Sequence, residues 1–263
     1  MKACELMNEL FALAPNGNYE NTCDTCKAGD PQREVRRVAV TMFPTVDVIR
    51  QAAWWGADLL IVHEPLYFNH MDVHSDEQVE TEKRRLLEET GMTVYRYHDH
   101  PHNASPDMIA AGFWEKLALP GKTIWNRRFD LAEVELDAPV TPLLLAKRIE
   151  EKLGLRHVRV SGAVNASCTR VMSVLGAPGN CLDLLREPGC QILIGGEVSE
   201  WAMGEYVRDA AALGHKKALI TLGHAGSEGA GMEYVRNLIA ARYPDLPCRY
   251  LDCGEVFHYT EEL

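Results

Sequence analysis

The chain has 263 residues, 46% of them hydrophobic, which suffices for one large domain or two modest ones with a buried core. Its formal net charge of -11 and isoelectric point near 5.4 disfavour binding to nucleic acid or anionic membranes, since both need clustered Lys and Arg. No apolar run approaches the roughly 18 residues of a membrane span, and the N-terminus has no signal-peptide pattern. These features predict a cytoplasmic protein whose partners are small molecules or proteins.

Hydrophobic spacing in the first 120 residues predicts alternating helices and strands. A polar segment with Gly, Pro and Asn punctuation, from 16 to 33, is predicted to be a loop. A strand at 35–42, a helix at 46–55 and a buried strand at 59–62 together predict one βαβ unit. The other elements predicted here are helices at 2–13, 76–90 and 107–119 and a strand at 92–97.

The same alternation continues through the second half of the chain. The predicted strands lie at 122–125, 129–136, 157–161, 170–175, 191–194, 218–222 and 248–252. The predicted helices lie at 142–153, 181–186, 201–213 and 232–242. This order predicts an α/β protein of two lobes, with residues 1–125 and 215–263 in the first and 126–214 in the second.

Potential metal ligands follow three of the predicted strands. His63 and Glu64 come directly after a buried strand, a stretch of three His and one Asp occupies 98–102, and His224 and Glu228 follow a third strand. Residues four apart share a face of a helix, so the last pair can point to one spot. Such nitrogen and carboxylate ligands suit zinc, iron(II) or manganese(II). Each of these three groups, taken alone, could also be a hydrogen-bonded histidine or a polar loop that binds no metal.

The eight cysteines are predicted to be reduced, because the chain has no secretory signal. Cys23 and Cys26 have Cys-x-x-Cys spacing, without a second pair to complete a tetrahedral zinc site. Three interpretations stay open for this pair: a structural metal site, a redox motif or a polar loop.

Four segments resemble the Nif-three-like family of dinuclear-metal proteins, whose members are named GTP cyclohydrolase 1 type 2 homologues. The segment 53–66 is similar to the family's strand ending in His-His-Pro, and 195–197 to its Thr-Gly-Glu turn. The loop after Tyr97 corresponds to its middle motif, and 223–228 to its Gly-His-x-x-Ser/Thr-Glu motif. The resemblance extends over roughly residues 35–258.

This resemblance implies mixed sheets flanked by helices, a metal site in the cleft between the lobes, and two divalent ions (Zn, Fe or Mn) per subunit of a hexamer. The ligands that it implies are His63, Glu64, Asp99, His102, His224 and Glu228. Glu64 stands where the family has a second histidine, which favours iron or manganese over zinc. The family's middle aspartate falls at Asn103 or His102 according to the alignment, so His102 or Asp99 is expected to replace it. The family's Asp-Asn-x-Gly-Leu segment is not recognisable in 21–30.

Two functions from different classes fit these residues. The first is a metal-dependent hydrolase of a small, nucleotide-like substrate, in which Glu197, His98 or His100 could move protons. The second is a non-catalytic metal carrier, sensor or assembly scaffold. GTP cyclohydrolase activity is implied by the resemblance alone, because the sequence has no phosphate-cradling loop and no basic cluster, and it identifies no catalytic residue.

Overall fold

Short apolar runs form buried strands in both halves of the chain. The computed structural model describes residues 1–126 and 131–260. These form two compact units: Met1–Ile109 with Gly231–Gly254 make up unit 1, and Ala110–Ala230 with the segment from Glu255 onward make up unit 2. The lobe boundaries expected from the sequence stay a prediction.

The described elements alternate between helices and strands, as the sequence predicts. In chain order they are α1 (Ala3–Phe11), β1 (Cys26–Ala28), β2 (Val38–Thr41), α2 (Val46–Trp55), β3 (Leu59–Val62), α3 (Gln78–Thr90), β4 (Thr93–Arg96), α4 (Asp99–Asn103), α5 (Met108–Leu117), β5 (Gly121–Asn126), β6 (Leu131–Val140), α6 (Pro142–Leu153), β7 (Arg159–Gly162), β8 (Cys168–Val174), α7 (Leu182–Arg186), β9 (Ile192–Gly195), a π-helical turn (Glu200–Gly204), α8 (Glu205–Ala212), β10 (Ala218–Thr221), α9 (His224–Arg242) and β11 (Cys248–Tyr250).

Unit 1 contains a mixed sheet whose described strands have the order β1-β4-β3-β2-β11. The strands β4, β3, β2 and β11 run parallel, and β1 pairs antiparallel with β4. Every residue of β2, β3 and β4 is buried, and α2 packs its apolar face on this sheet. Each buried Leu, Ile or Val contributes about 1.5–3 kcal/mol. The predicted βαβ unit is confirmed.

Local chemistry sets the ends of the helices beside the sheets. The Thr45 side chain accepts a hydrogen bond from the backbone N–H of Val48 at 3.2 Å and begins α2, and Thr141 begins α6 in the same way. Gly56 and Gly154 end these helices with φ of 76° and 73°, a left-handed conformation that costs glycine little. Both helices therefore have the predicted bounds.

Unit 2 contains a second mixed sheet, with its described strands in the order β5-β6-β8-β9-β10-β7. The central strands β8, β9 and β10 are parallel, and antiparallel strands complete both sides. Buried residues of α5 and α6 pack against this sheet, with Phe113, Leu145 and Ile149 fully buried. The two sheets flanked by helices match the predicted α/β class.

Several predicted elements differ from the structure. The predicted loop at 16–33 contains the short strand β1, and the loop expected after Tyr97 is the helix α4. The helix expected at 232–242 begins eight residues earlier, at His224, and the one expected at 201–213 opens with a π-helical turn. The strand expected at 129–136 starts in residues outside the described part of the chain.

Candidate metal centre

His63 is the first residue after β3 and lies fully buried. Its Nδ1 is 3.0 Å from the carbonyl oxygen of Tyr97. Because a carbonyl only accepts hydrogen bonds, Nδ1 carries the proton, and Nε2 presents a lone pair. A histidine fixed in this way by a backbone carbonyl is the arrangement that metal sites use to orient a ligand.

His102 presents its imidazole in the same manner from α4. Its Nδ1 lies 2.8 Å from a carboxylate oxygen of Asp107, and its Nε2 lies 3.2 Å from Nε2 of His63. With both Nδ1 atoms on oxygen acceptors, the two Nε2 atoms can share one proton in a hydrogen bond or one cation. Two nitrogens about 2.0–2.1 Å from a tetrahedral zinc ion are themselves about 3.3 Å apart. The observed separation therefore fits one ion held by both rings.

His98 brings a third imidazole to the same region, although it was absent from the predicted ligand set. One donor atom from each of His63, His98 and His102 lies within 4.8 Å of the others. Nδ1 of His98 is 3.0 Å from Asp99, and this hydrogen bond holds the pKa of the Asp99 carboxyl well below its usual range. Asp99, a predicted ligand, thus orients His98 through its Oδ1. We call His63, His98 and His102 the imidazole cluster.

Glu64 borders the imidazole cluster and is 7% exposed. Its Oε1 lies 3.7 Å from Nε2 of His98, and its Oε2 lies 3.7 Å from Nη2 of Arg96. Arg96 is fully buried, and its Nε donates a hydrogen bond to the carbonyl of His63 at 3.0 Å. The guanidinium therefore fixes the turn after β3 and partly neutralises Glu64, a role that the sequence did not indicate.

Asp24 anchors the N-terminal end of α4 beneath the cluster. Its carboxylate accepts hydrogen bonds from the backbone N–H groups of 98–100 at 2.6 to 3.1 Å. It also contacts Nδ1 of His100, whose ring stacks on Tyr19 and Phe11 with centroid distances of 3.7 and 4.3 Å. This packing gives His100 a structural role, and its part in proton transfer stays a prediction.

His224 is the first residue of α9 and Glu228 follows one turn later, both in unit 2. Nε2 of His224 is 3.2 Å from a carboxylate oxygen of Glu228, and its Nδ1 is 3.5 Å from Glu197. Glu228 is only 3% exposed, whereas the Glu197 side chain is 60% exposed. The expected placement of His224 and Glu228 on one helical face is confirmed. That the six predicted residues act as metal ligands stays a prediction.

Two turns that contain glycine, one after β8 at Gly176 and one after β9 at Gly196, pack against the start of α9. The hydroxyl of Ser227 donates to the carbonyl of His224 at 2.8 Å and accepts from the backbone N–H of Gly176 at 3.0 Å. The carbonyl of Gly176 in turn accepts from the backbone N–H of Glu197 at 2.7 Å. The turns after β8 and β9 are thereby fastened to the residue that precedes Glu228.

Gly196 has no room for a side chain where these two turns pack. A Cβ there would lie 2.0 Å from the carbonyl oxygen of Gly176 and 2.7 Å from the hydroxyl of Ser227. We expect Gly196→Ala to lower the free energy of unfolding by about 1–3 kcal/mol, measured by urea denaturation. Gly204→Ala is the matched control, because a Cβ at Gly204 meets nothing within 4 Å. Equal denaturation midpoints for both variants would contradict the expectation.

Cys23 and Cys26 lie just before and within β1, and neither forms a disulfide. Burial raises the pKa of the Cys23 thiol to about 12 and also raises the pKa of Cys26. Redox-active Cys-x-x-Cys pairs instead have lowered thiol pKa values. Burial therefore disfavours the redox interpretation of this motif.

The fold and the donor groups define an α/β protein of two mixed sheets that carries histidine and carboxylate clusters suited to divalent ions. The model of the Duf34/NIF3 (NGG1p interacting factor 3) family matches residues 1–252, so the chain belongs to this family. The resemblance predicted from the sequence is confirmed.

Individual relatives agree with this assignment. A "GTP cyclohydrolase 1 type 2 homolog" of Clostridium perfringens is 21% identical over 234 residues, covering 87% of each chain. A protein of the same name from Streptomyces coelicolor is 26% identical over 212 residues, covering 76% of this chain and 74% of the relative. The hypothetical protein SA1388 of Staphylococcus aureus aligns with a TM-score of 0.77 and 17% identity, over 98% of this chain and 99% of that chain. The last similarity shows a shared fold.

Proposed function

We propose that this chain binds two divalent ions (zinc, iron or manganese) and uses them to hydrolyse a small, nucleotide-like substrate. The observation that supports metal binding most directly is the 3.2 Å separation of Nε2 of His63 and Nε2 of His102, with both Nδ1 atoms on oxygen acceptors. Glu64 and His98 add donors in unit 1, and His224 with Glu228 supply donors in unit 2. The nucleotide-like substrate class rests on the names of the relatives.

The residues around the donors have definite tasks in such a reaction. A divalent ion supplies Lewis acidity, which lowers the pKa of water to about 7. The carbonyl of Tyr97 and the carboxylate of Asp107 hold their imidazoles in the tautomer that a cation requires. Glu197 is the residue best suited to exchange protons with solvent, because its side chain is exposed and lies beside Nδ1 of His224.

Metal content and turnover test the proposal together. Protein purified without chelator should contain a stoichiometric transition metal by elemental analysis. A screen of nucleotides and phosphoesters should then reveal hydrolysis that stops on metal removal and returns on reloading. Bound metal without any turnover would instead support a carrier, sensor or scaffold. Protein without metal, which also fails to take up zinc, iron or manganese, would contradict both functions.

Two exposed tryptophans bear on assembly. Trp54 is 88% exposed and Trp201 is 78% exposed, whereas Trp55 is half-buried beside Arg249. Large exposed apolar side chains mark interaction sites, and the family resemblance indicates a hexamer. We therefore expect light scattering to give about six times the 29.4 kDa chain mass. Trp54→Glu should lower this mass, and a wild-type monomer at micromolar concentration would contradict the hexamer.

The remaining expectations about partners and location belong to the same proposal. The net charge of -11 favours a small-molecule substrate over nucleic acid. Within residues 1–126 and 131–260, no helix combines the length and the apolar character needed to cross a bilayer. The cytoplasmic location stays a prediction from the sequence.

A further inference from the structure

A second group of donor atoms lies beside the imidazole cluster in unit 1. The thiol of Cys23, a ring nitrogen of His70 and a carboxylate oxygen of Asp99 all lie within 4.8 Å of one another. These residues come from three segments: the loop before β1, the loop after β3 and the first turn of α4. Cys23 is buried, Asp99 half-buried and His70 exposed, so the group opens to solvent on one side.

Hydrogen bonds hold Cys23 and Asp99 together. Oδ2 of Asp99 accepts from the hydroxyl of Thr22 at 2.7 Å and from the backbone N–H of Cys23 at 3.2 Å. The same helical turn is anchored on the carboxylate of Asp24. The Cys23 thiol itself donates to Oδ1 of Asp24 at 3.7 Å. The Asp99 carboxylate and the Cys23 side chain are therefore both positioned before any ligand binds, which lowers the entropic cost of binding.

A buried ionic network fixes the loop that carries His70. Arg96 donates a hydrogen bond to the carbonyl of His70 and lies 3.4 Å from Asp72. Lys27 lies 3.1 Å from the same carboxylate of Asp72. The side chains of Asp72 and Arg96 are 3% and 0% exposed. The backbone of His70 is thus held in place, although its ring is exposed.

We propose that Cys23, His70 and Asp99 form a separate site for one divalent transition-metal ion of the zinc or cobalt type. A thiolate, an imidazole and a carboxylate make a ligand set for borderline-soft ions rather than for Mg²⁺ or Ca²⁺. Three protein ligands leave one tetrahedral position for water. A coordinating thiol gives its proton to solvent when the ion binds, so the buried thiol is compatible with the site.

This site uses donors other than the facing imidazoles of His63 and His102, so it does not rest on the proposed hydrolase. It assigns Cys23, the first cysteine of the Cys-x-x-Cys motif, to metal binding without Cys26. The thiol of Cys26 instead donates to the carbonyl of Ala28 at 3.4 Å.

Cobalt(II) titration of the metal-stripped chain tests the site, because thiolate coordination gives a near-ultraviolet charge-transfer band that imidazole and carboxylate ligands do not. We expect a saturable band in the wild type and its loss in Cys23→Ser. Since a buried cysteine is replaced there, His70→Ala provides a second test at an exposed position. The cobalt affinity of this variant, measured from the intensity of the band, should be lower by at least about 10-fold.

Two controls separate this site from its neighbours. Cys26→Ser changes the other cysteine of the motif and should keep the band. The double variant His63→Ala/His102→Ala removes the facing imidazoles and should also keep it, so failure of the proposed function and failure of this site are distinguishable. No band in the wild type, a band that persists in Cys23→Ser, loss of the band in Cys26→Ser, or unchanged affinity in His70→Ala would each overturn the proposal.

Discussion

Replacing His63 and His224 together by alanine should remove the two ions of the proposed dinuclear centre, leaving at most the one ion of the Cys23, His70 and Asp99 site. The change removes one imidazole donor from each unit. Loss of residues that only orient ligands typically weakens metal binding by about 10–100-fold, and loss of a ligand itself should cost more. Elemental analysis of protein purified without chelator measures the outcome.

The controls must separate metal loss from unfolding. His63→Ala leaves the buried carbonyl of Tyr97 without its imidazole, a cost of about 1–3 kcal/mol, so urea denaturation should accompany the metal analysis. His102→Ala tests the same cluster at a half-buried position, and His215→Ala, an exposed histidine, serves as the matched control. Unchanged metal content in a folded His63→Ala/His224→Ala variant would remove both residues from the metal site.

Elements with strong hydrophobic patterns were predictable from the sequence. The βαβ unit of β2, α2 and β3 combines apolar runs with a threonine cap and a left-handed glycine, so the hydrophobic pattern and the helix start and stop signals agree. The helix α6 was predictable for the same reasons. Where caps, glycines and the apolar pattern all agree with the burial seen in the fold, the sequence alone is enough to predict the element.

Elements held by distant contacts were not predictable. The three residues of β1 are half-buried and gain their conformation by pairing with β4. The short helix α4 contains Pro101 and starts on the carboxylate of Asp24, more than 70 residues away. Neither segment has the periodicity that a local pattern search needs.

The N-terminal half of α9 illustrates the same limit. Its glycines are poor helix formers, so the hydrophobic pattern starts only at Met232. Gly231 packs on the backbone of Ile109, where a Cβ would lie 2.5 Å from the Cα atom, and Gly226 packs on Leu155. Glycine allows these close approaches, and packing overrides the weak local preference.

The candidate site was partly predictable. Ionisable residues after buried strands indicate His63, Glu64 and His102 from the sequence alone, but the predicted ligands do not include His98. Parallel pairing of β3 with β4 sets Val62 opposite Arg96, and continuing this register by two residues sets Glu64 opposite His98. The position of His98 beside Glu64 follows once β3 and β4 are known to be neighbours, but a single sequence does not show which strands pair.

Glu64 should contribute directly to metal affinity. Replacing it by glutamine keeps the shape of the side chain and removes the charge, and we expect Glu64→Gln to weaken metal binding on the order of 100-fold. Glu64→His should restore binding with a shift in favour of zinc, because imidazole is a softer ligand than carboxylate. Competition titrations with zinc and manganese measure both effects.

Because Glu64 lies beside Arg96, Glu64→His should also lower the stability of the fold, which a metal titration does not measure. The guanidinium lies 3.7 Å from Glu64 and 3.4 Å from Asp72, and it is fully buried. Removing one partner of a buried ion pair typically costs about 3–5 kcal/mol. Because Asp72 still compensates Arg96, we expect Glu64→His to lower the free energy of unfolding by less, about 1–3 kcal/mol. Identical metal affinities for wild type, Glu64→Gln and Glu64→His would exclude Glu64 as a ligand, whereas a zinc-selective Glu64→His with lowered stability would assign it both roles, ligand and partner of Arg96.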